Sequence, residues 1–122
     1  MKQPLAISFL GMDRSDALEV SARRHAEKLD RFTRDLVSCK VIIALEQKHQ
    51  HQGRPYAVRL DITIPGHELV TTRAQHEDAY VALRDAFDAM RRQLLRTIEI
   101  RRGDVKHHAN GRTKASATIR TD

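Results

Sequence analysis

Arginine and lysine side chains are the feature of this 122-residue sequence that most clearly indicates binding chemistry. Residues 1–88 contain 13 Lys/Arg and 13 Asp/Glu, whereas residues 89–122 contain 9 and 3, so the C-terminal part supplies the whole net charge of +6. A one-sided excess of positive charge raises the local concentration of polyanions. The charge distribution therefore indicates a nucleic acid or an anionic membrane surface as the partner.

The basic residues recur at helical spacing in a first segment, near residues 16–32. Arg24, Lys28 and Arg31 follow one another at steps of four and three, and Arg23 lies alongside. Residues at this spacing share one face of an α-helix. The pattern therefore predicts a helix with one basic face.

A second basic face is predicted on the last helical segment of the chain. Arg84, Arg91 and Arg102 are spaced to share one side of the helix, which we place opposite Phe87. Two further cations flank this side, Arg92 and Arg96. Acidic residues are interleaved on both helices, namely Glu27, Asp30, Asp85 and Asp88. Ordinary i,i+4 ion pairing on a solvated helix surface is therefore the alternative interpretation.

Helix faces rich in guanidinium groups suit phosphates, because Arg can donate two parallel hydrogen bonds to one phosphate. The five aromatic residues offer little for base stacking. Four of them fall on apolar stripes or core-facing positions, and Tyr80 lies at the edge of an apolar stripe. The aromatic pattern of an RNA-recognition motif is absent from the sequence. We therefore expect contacts to the nucleic-acid backbone, weakened by salt, rather than reading of bases by the sheet.

Histidines are the other residues that could do chemistry. His49 and His51 form an H-x-H pair in a polar link, and His107 and His108 close the basic run. A zinc site needs about four ligands, and the CxxC and HExxH spacings are absent. A ribonuclease-like site of His49, His51 and Lys48 is a remote alternative, because neighbours in one loop rarely flank a phosphate from opposite sides. We expect the H-x-H histidines to be solvated loop residues.

Signatures of catalysis are missing from the sequence. It contains neither the Gly-rich phosphate-binding motifs nor a GxSxG motif, and Cys39 falls in the middle of a predicted strand rather than at a helix N-terminus that would activate it. His25 falls near the apolar stripe of the first helix, where we expect it to be packed or at the edge rather than functional. We therefore expect no enzymatic activity, no cofactor and no metal.

Periodic patterns of apolar residues predict the elements that position these side chains. Four strands are predicted, at residues 4–10, 37–47, 55–64 and 68–74. One helix, over residues 16–32, follows the N-cap Ser15, and the other starts at Glu77 and Asp78 and stops at Gly103. The order β-α-β-β-β-α predicts an α+β two-layer sandwich, resembling a double-stranded-RNA-binding domain. A mostly antiparallel four-stranded sheet would carry both helices on one face.

The length of the chain allows one domain, for which we predict residues 1–106, followed by a flexible basic tail over residues 107–122. The longest apolar run, VIIAL at residues 41–45, is too short to cross a membrane, and the N-terminus shows no signal-peptide pattern. The single Cys39 cannot form an internal disulfide. We therefore expect a cytoplasmic protein.

The segment HEDAYVALRDAFDAMRRQL, at residues 76–94, resembles the second helix of the ribosome hibernation-promoting factor and ribosome-associated inhibitor A family. Residues 78–83 match that family's D-x-Y-x-A-I motif, and Asp88 and residues 92–94 match its later Asp and R-Q-L. Residues 28–32 (KLDRF) are similar to the K-L-x-x-F/Y ending of the family's first helix. The resemblance is to the short form, which lacks a C-terminal dimerisation domain.

This resemblance implies a ribosome-associated translation inhibitor, or hibernation factor, that acts under stress or in stationary phase. Such a protein binds small-subunit rRNA in the decoding channel through basic helix faces and blocks mRNA and tRNA. Carried over by position, the resemblance implies RNA contacts by Arg23, Arg24, Lys28, Arg31, Arg91, Arg92, Arg96, Arg101, Arg102 and Lys106. The helix-face pattern adds Arg84. We expect no membrane or small-molecule partner, and a monomer off the ribosome.

Two other classes of function remain as alternatives. The first is a general structured-RNA-binding module without a specific ribosomal site. The second is an interaction protein for an acidic protein partner or a membrane surface. Binding that survives nuclease treatment would favour the second alternative, and loss of ribosome binding in excess bulk RNA would favour the first.

Overall fold

The computed structural model describes residues 1–34, 36–46, 55–71 and 73–110, and within residues 101–110 only the backbone. Over these ranges the elements are strand β1 (Ala6–Leu10), helix α1 (Asp16–Phe32), strands β2 (Ser38–Leu45), β3 (Tyr56–Ile64), β4 (His67–Val70) and β5 (Ala74–His76), and helix α2 (Ala79–Asn110). The chain divides into two compact units, Met1–Arg91 and Arg92–Asp122. All five of these strands and α1 belong to the first unit.

The strands form one sheet in the order β1-β2-β3-β4, with β5 also pairing with β3. β1 is parallel to β2, and the other pairings are antiparallel. Val41 of β2 pairs with Leu60 of β3, and both are completely buried, whereas the neighbouring Lys40 and Arg59 are exposed. The period-two pattern therefore gives the sheet one core face and one open face, as the sequence predicted.

Helix α1 begins where its capping residue predicts. Ser15 has an extended backbone, and its Oγ accepts a hydrogen bond from the backbone N–H of Leu18 at 3.2 Å. This bond satisfies one of the free N–H groups of the first turn. The buried side chains of the helix recur at steps of three and four: Leu18, Ala22, Ala26 and Leu29. They form the apolar stripe that covers the core face of the sheet.

Helix α2 lies beside α1 within the first unit. The ring of Phe87 stacks on the ring of His25, with centroids 5.1 Å apart and planes 16° apart. The buried residues of α2 in the first unit are Ala79, Ala82, Leu83, Ala86, Phe87 and Met90. The predicted α+β class with both helices on one face of the sheet is therefore confirmed. No helix within the described ranges is apolar enough over a sufficient length to span a bilayer.

The predicted strand at residues 68–74 is wrong, because two strands occupy this region. Asp61 pairs with Val70 and Val58 pairs with Ala74, so three residues on this side oppose two on β3. Such an extra residue breaks the ladder. Thr71 lies at the break, where its N–H donates to the Leu60 carbonyl and its Oγ1 accepts from the Leu60 N–H, both at 3.0 Å. The sheet therefore has five strands instead of four.

The predicted end of the second helix at Gly103 is also wrong. The backbone of α2 remains helical through Gly103 and continues to Asn110. Glycine within a helix costs only about 1 kcal/mol relative to alanine, so it stops a helix only when its surroundings favour a cap. No proline follows to prevent continuation.

Candidate nucleic-acid interface

Helix α1 presents three exposed cations on one side, Arg24, Lys28 and Arg31. Helical spacing places them away from the buried stripe. None of the three forms an ion pair with a carboxylate in the described part of the chain. Their charges are therefore available to an external anion, which favours binding over the alternative of ion pairing within the helix.

Arg23 lies on a different flank of α1 from these three residues. Its guanidinium donates to one carboxylate oxygen of Glu19 at 2.8 Å, and Arg14 donates to the other at 2.9 Å. Arg23 lines a pocket against the first residues of the chain, whereas Lys28 lines the groove towards α2. The hydrogen bond from Arg23 is the main reason that the pKa of Glu19 is lowered. Arg23 is thus engaged in an internal ion pair.

Arg91 of α2 is held against α1 by an aromatic contact. Its guanidinium carbon lies 5.0 Å from the centroid of the Phe32 ring. Arg91 and Phe87 line the same groove, so the prediction that Arg91 faces away from Phe87 is wrong. The reason is that residues one helical turn apart are neighbours. The cation–π contact orients the guanidinium while leaving it exposed.

Arg84 is exposed about two helical turns before Arg91 and is only weakly engaged. Its nearest carboxylate is that of Asp85, at 3.5 Å, which is the limit of a hydrogen bond. We call Arg24, Lys28 and Arg31 of α1, together with Arg84 and Arg91 of α2, the basic face. All five residues belong to the first unit.

A narrow groove separates the two helices beside the basic face. Its lining residues are His25, Lys28, Leu29, Phe32, Phe87, Asp88 and Arg91. The cavity measures about 50 Å³, which is too small for a nucleobase but can admit the oxygen atoms of a phosphate. The groove therefore suits contacts to a nucleic-acid backbone rather than insertion of a base.

His25 occupies the centre of this groove. It is half-buried, and its pKa is lowered, first by burial and then by the positive charge of Lys28. The negative charge of Asp88 raises the pKa of His25, and the positive charge of Arg84 lowers it further. The expectation that His25 is packed or at the edge of the apolar stripe is confirmed by its half-buried position and its stacking on Phe87 of α2.

Acidic residues gather at the opposite end of the two helices. Ser15, which caps α1, lines one pocket together with Asp78 and Tyr80 at the start of α2. The two helices therefore begin at the same end of the first unit. Asp78 caps α2 by accepting a hydrogen bond from the Tyr80 N–H at 2.9 Å. The first unit thus has an acidic end and a basic face further along the helices.

The second unit carries further predicted contact residues. Arg92 and Arg96 are both exposed and lie one helical turn apart. The backbone is helical at Arg101, Arg102 and Lys106, but the side chains of these three residues lie outside the described part of the structure. Their role in RNA binding remains a prediction.

Other predicted features fall on residues that are not described. The H-x-H pair, Lys48 and residues 111–122 of the predicted tail lie outside the described ranges. The first residues of that predicted tail, 107–110, belong to the helical backbone of α2. Among the residues that are described, no group of three or more His, Cys, Asp or Glu side chains is arranged to hold a metal ion. The domain boundary at residue 106 remains a prediction.

The groove and its aromatic support were not predicted from the sequence. The spacing of His25, Leu29 and Phe32 at steps of four and three was a usable signal, because it places the histidine on the same side as apolar residues. The four-residue spacing of Phe87 and Arg91 was a second usable signal, because it places them on neighbouring positions of one helix side. Neither pattern, however, identifies which residue of the other helix each side chain meets.

Comparison with known proteins gives one family and a consistent fold. The profile of the family described as Sigma 54 modulation protein / S30EA ribosomal protein matches residues 5–102. A structure described as a ribosomal subunit interface protein from Coxiella burnetii superposes with a TM-score of 0.67 at 15% identity, covering 78% of this chain and 97% of that one. The N-terminal domain of Protein Y from Thermus thermophilus superposes with a TM-score of 0.63 at 20% identity, covering 78% and 99%. No curated protein sequence matches the chain.

Proposed function

The chain belongs to the Sigma 54 modulation protein / S30EA ribosomal protein family, and we propose that it binds small-subunit rRNA in the decoding channel through its basic face. Membership makes it a ribosome-associated modulation factor, in a family of ribosome-binding proteins rather than a known family of enzymes. In this proposal the bound protein blocks mRNA and tRNA under stress or in stationary phase. It acts in the cytoplasm, without catalysis, and is a monomer off the ribosome.

One observation carries the proposal: the four cations Arg24, Lys28, Arg31 and Arg91 are exposed and have no ion-pair partner among the described carboxylates. Four unneutralised positive charges on the basic face repel one another. The negative phosphates of an RNA backbone would remove this repulsion on binding. Tyr80, four residues before Arg84, is the one exposed residue among the five aromatic residues, and a single ring does not form the stacking platform that single-stranded RNA readers use. Structured RNA, recognised by its phosphates, is the ligand that this surface suits best.

Charge reversal on the basic face tests the proposal. We expect the double variant Lys28→Glu with Arg91→Glu to lose co-sedimentation with purified small subunits, because two attractive contacts become repulsive. The matched control is Lys40→Glu with Arg59→Glu, which makes the same charge change at exposed positions on the open face of the sheet. We expect the control to keep most of its ribosome binding. Equal loss in both double variants would indicate that only net charge matters.

Two further measurements separate the proposal from its alternatives. A ribosome-specific factor stays bound to small subunits in the presence of excess bulk RNA, whereas a general RNA-binding module is competed away. Binding of initiator tRNA to programmed small subunits should fall as the protein is added, and the Lys28→Glu, Arg91→Glu variant should not have this effect. Binding at a site elsewhere on the subunit would leave tRNA binding unchanged and would contradict the decoding-channel location.

A further inference from the structure

His25 differs from the other described histidines in being built into the groove beside the basic face. His67 and His76 are exposed, and His76 uses its Nδ1 to accept a hydrogen bond from the backbone N–H of Asp78. The His25 ring is held instead by stacking on Phe87, with no hydrogen-bond partner for its nitrogens among the described residues. The orientation of this ring is therefore fixed while its polar atoms remain available.

The charged groups around His25 come from both helices. Lys28 faces it from α1, and Arg84, Asp88 and Arg91 face it from α2. Three of these four groups are cations, and all three belong to the basic face. The local field therefore opposes a positive charge on the imidazole as long as no anion is bound.

We propose that His25 is a proton-dependent contact for rRNA phosphate, so that this chain binds the small subunit more tightly as pH falls. The inference rests on the proposed function and adds a regulatory property to the same site. A phosphate seated over the groove places negative charge beside Lys28 and Arg91, which line it, and so offsets the repulsion that the surrounding cations exert on the imidazolium. The protonated ring has two N–H donors where the neutral ring has one, so it also gains a hydrogen bond to the phosphate.

The direction of the pH effect follows from linkage. Burial and Lys28 lower the pKa of His25 in the free protein, whereas a bound phosphate favours the charged ring and raises its pKa in the complex. Binding therefore takes up a proton. Affinity increases as pH falls through the pKa of the complex, and it levels off below the pKa of the free protein. An increase of about one unit in the pKa on binding corresponds to roughly tenfold tighter binding at low pH.

The test compares dissociation constants for purified small subunits at about pH 7.5 and about pH 6.0, a range over which an ordinary histidine titrates, at fixed salt and Mg²⁺. Two variants of the full chain replace the titratable imidazole of His25 with groups that do not bind a proton in this range. His25→Phe keeps a ring to stack on Phe87, and His25→Gln keeps a hydrogen-bonding group. His67→Gln, on β4, is the control for general effects of histidine titration. Thermal melting checks that each variant is folded.

The wild type and His67→Gln should bind about three- to fourfold more tightly at the lower pH, because this pH range covers only part of the roughly tenfold change that a pKa increase of about one unit gives at its limit. Both His25 variants should reduce this ratio to about twofold or less. Calorimetry in two buffers of different ionisation enthalpy should also show proton uptake by the wild type and not by His25→Phe. A ratio unchanged in both His25 variants would overturn the inference, as would a wild type without pH dependence. Failure of the wild type to bind at either pH would instead contradict the proposed function.

Discussion

The salt dependence of ribosome binding is a direct measure of how many cations on the basic face contact phosphate. Each phosphate that is neutralised releases about 0.7 to 0.9 condensed counterions, and the logarithm of the affinity falls linearly with the logarithm of salt concentration. Cations already paired with internal carboxylates contribute little. Arg24, Lys28, Arg31 and Arg91 are exposed and form no ion pair with a described carboxylate, so they should contribute most in the first unit.

Four such contacts give a slope of about −2.8 to −3.6 from the first unit, on counterion-release arithmetic. Between about 50 mM and about 200 mM KCl, this slope lowers the affinity by roughly 50- to 150-fold. Any contact made by Arg92 or Arg96 in the second unit makes the slope steeper by about 0.7 to 0.9 each. The slope from the first unit is therefore the minimum steepness expected for the whole chain. Each contact changes the slope by an amount that a single substitution can reveal.

The assay is fluorescence anisotropy of the labelled chain titrated with purified small subunits in a KCl series at constant Mg²⁺. Lys28→Gln should make the slope shallower by about 0.7 to 0.9, since one counterion-releasing contact is lost. Arg59→Gln, on the open face of the sheet, is the matched control and should leave the slope unchanged. A wild-type slope shallower than about −1 would refute the argument that phosphate contacts dominate binding. So would equal changes in the two variants.

Three further predictions concern the fold that supports the basic face. Gly11→Ala should lower the free energy of unfolding in urea by about 2–4 kcal/mol, whereas Gly66→Ala should cost only about 1 kcal/mol. Both glycines have positive φ, but an added Cβ at Gly11 would lie 2.7 Å from the Leu45 carbonyl oxygen and one at Gly66 would meet nothing. Ser15→Ala should cost about 1 kcal/mol, measured by thermal melting, because the cap of α1 is lost. Cys39 should stay unreactive towards dithiobisnitrobenzoate until the chain is unfolded, because burial raises the pKa of its thiol to about 12.

The elements that were predicted correctly are those in which one local pattern decides the structure. Helix α1 has a capping serine, acids in its first turn and an apolar stripe at steps of three and four, and its bounds agree with the prediction. Strand β3 alternates strictly and was also found where predicted. The break at Thr71 was missed because it depends on how the chain pairs with β3. In sequence, the four apolar or β-branched residues at 69–72 look continuous. Pairing is a tertiary property that local patterns do not contain.

The candidate site was predicted in composition but not in geometry. Exposure of the predicted cations of α1 follows from their position away from the apolar stripe, and the sequence contains that information. Which cations are neutralised depends on neighbours that a helical pattern leaves undetermined. Arg23 and Arg24 are adjacent in sequence, yet Arg23 is bound by Glu19 and Arg24 has no ion pair within the described ranges. Packing of the helices, rather than spacing along one of them, brings Phe32 to Arg91 and His25 to Phe87.

The distribution of charge along α1 connects stability with binding. Asp16 and Glu19 lie in its first turn and Arg31 in its last, which is the arrangement that a helix dipole favours. Each such charge at the surface contributes about 0.3–1 kcal/mol to the helix. Of the basic face, Arg31 therefore stands where the isolated helix already prefers a cation, so its charge there need not destabilise the protein. Moving this residue to the first turn would keep the net charge, but it would weaken the helix and remove one cation from the basic face.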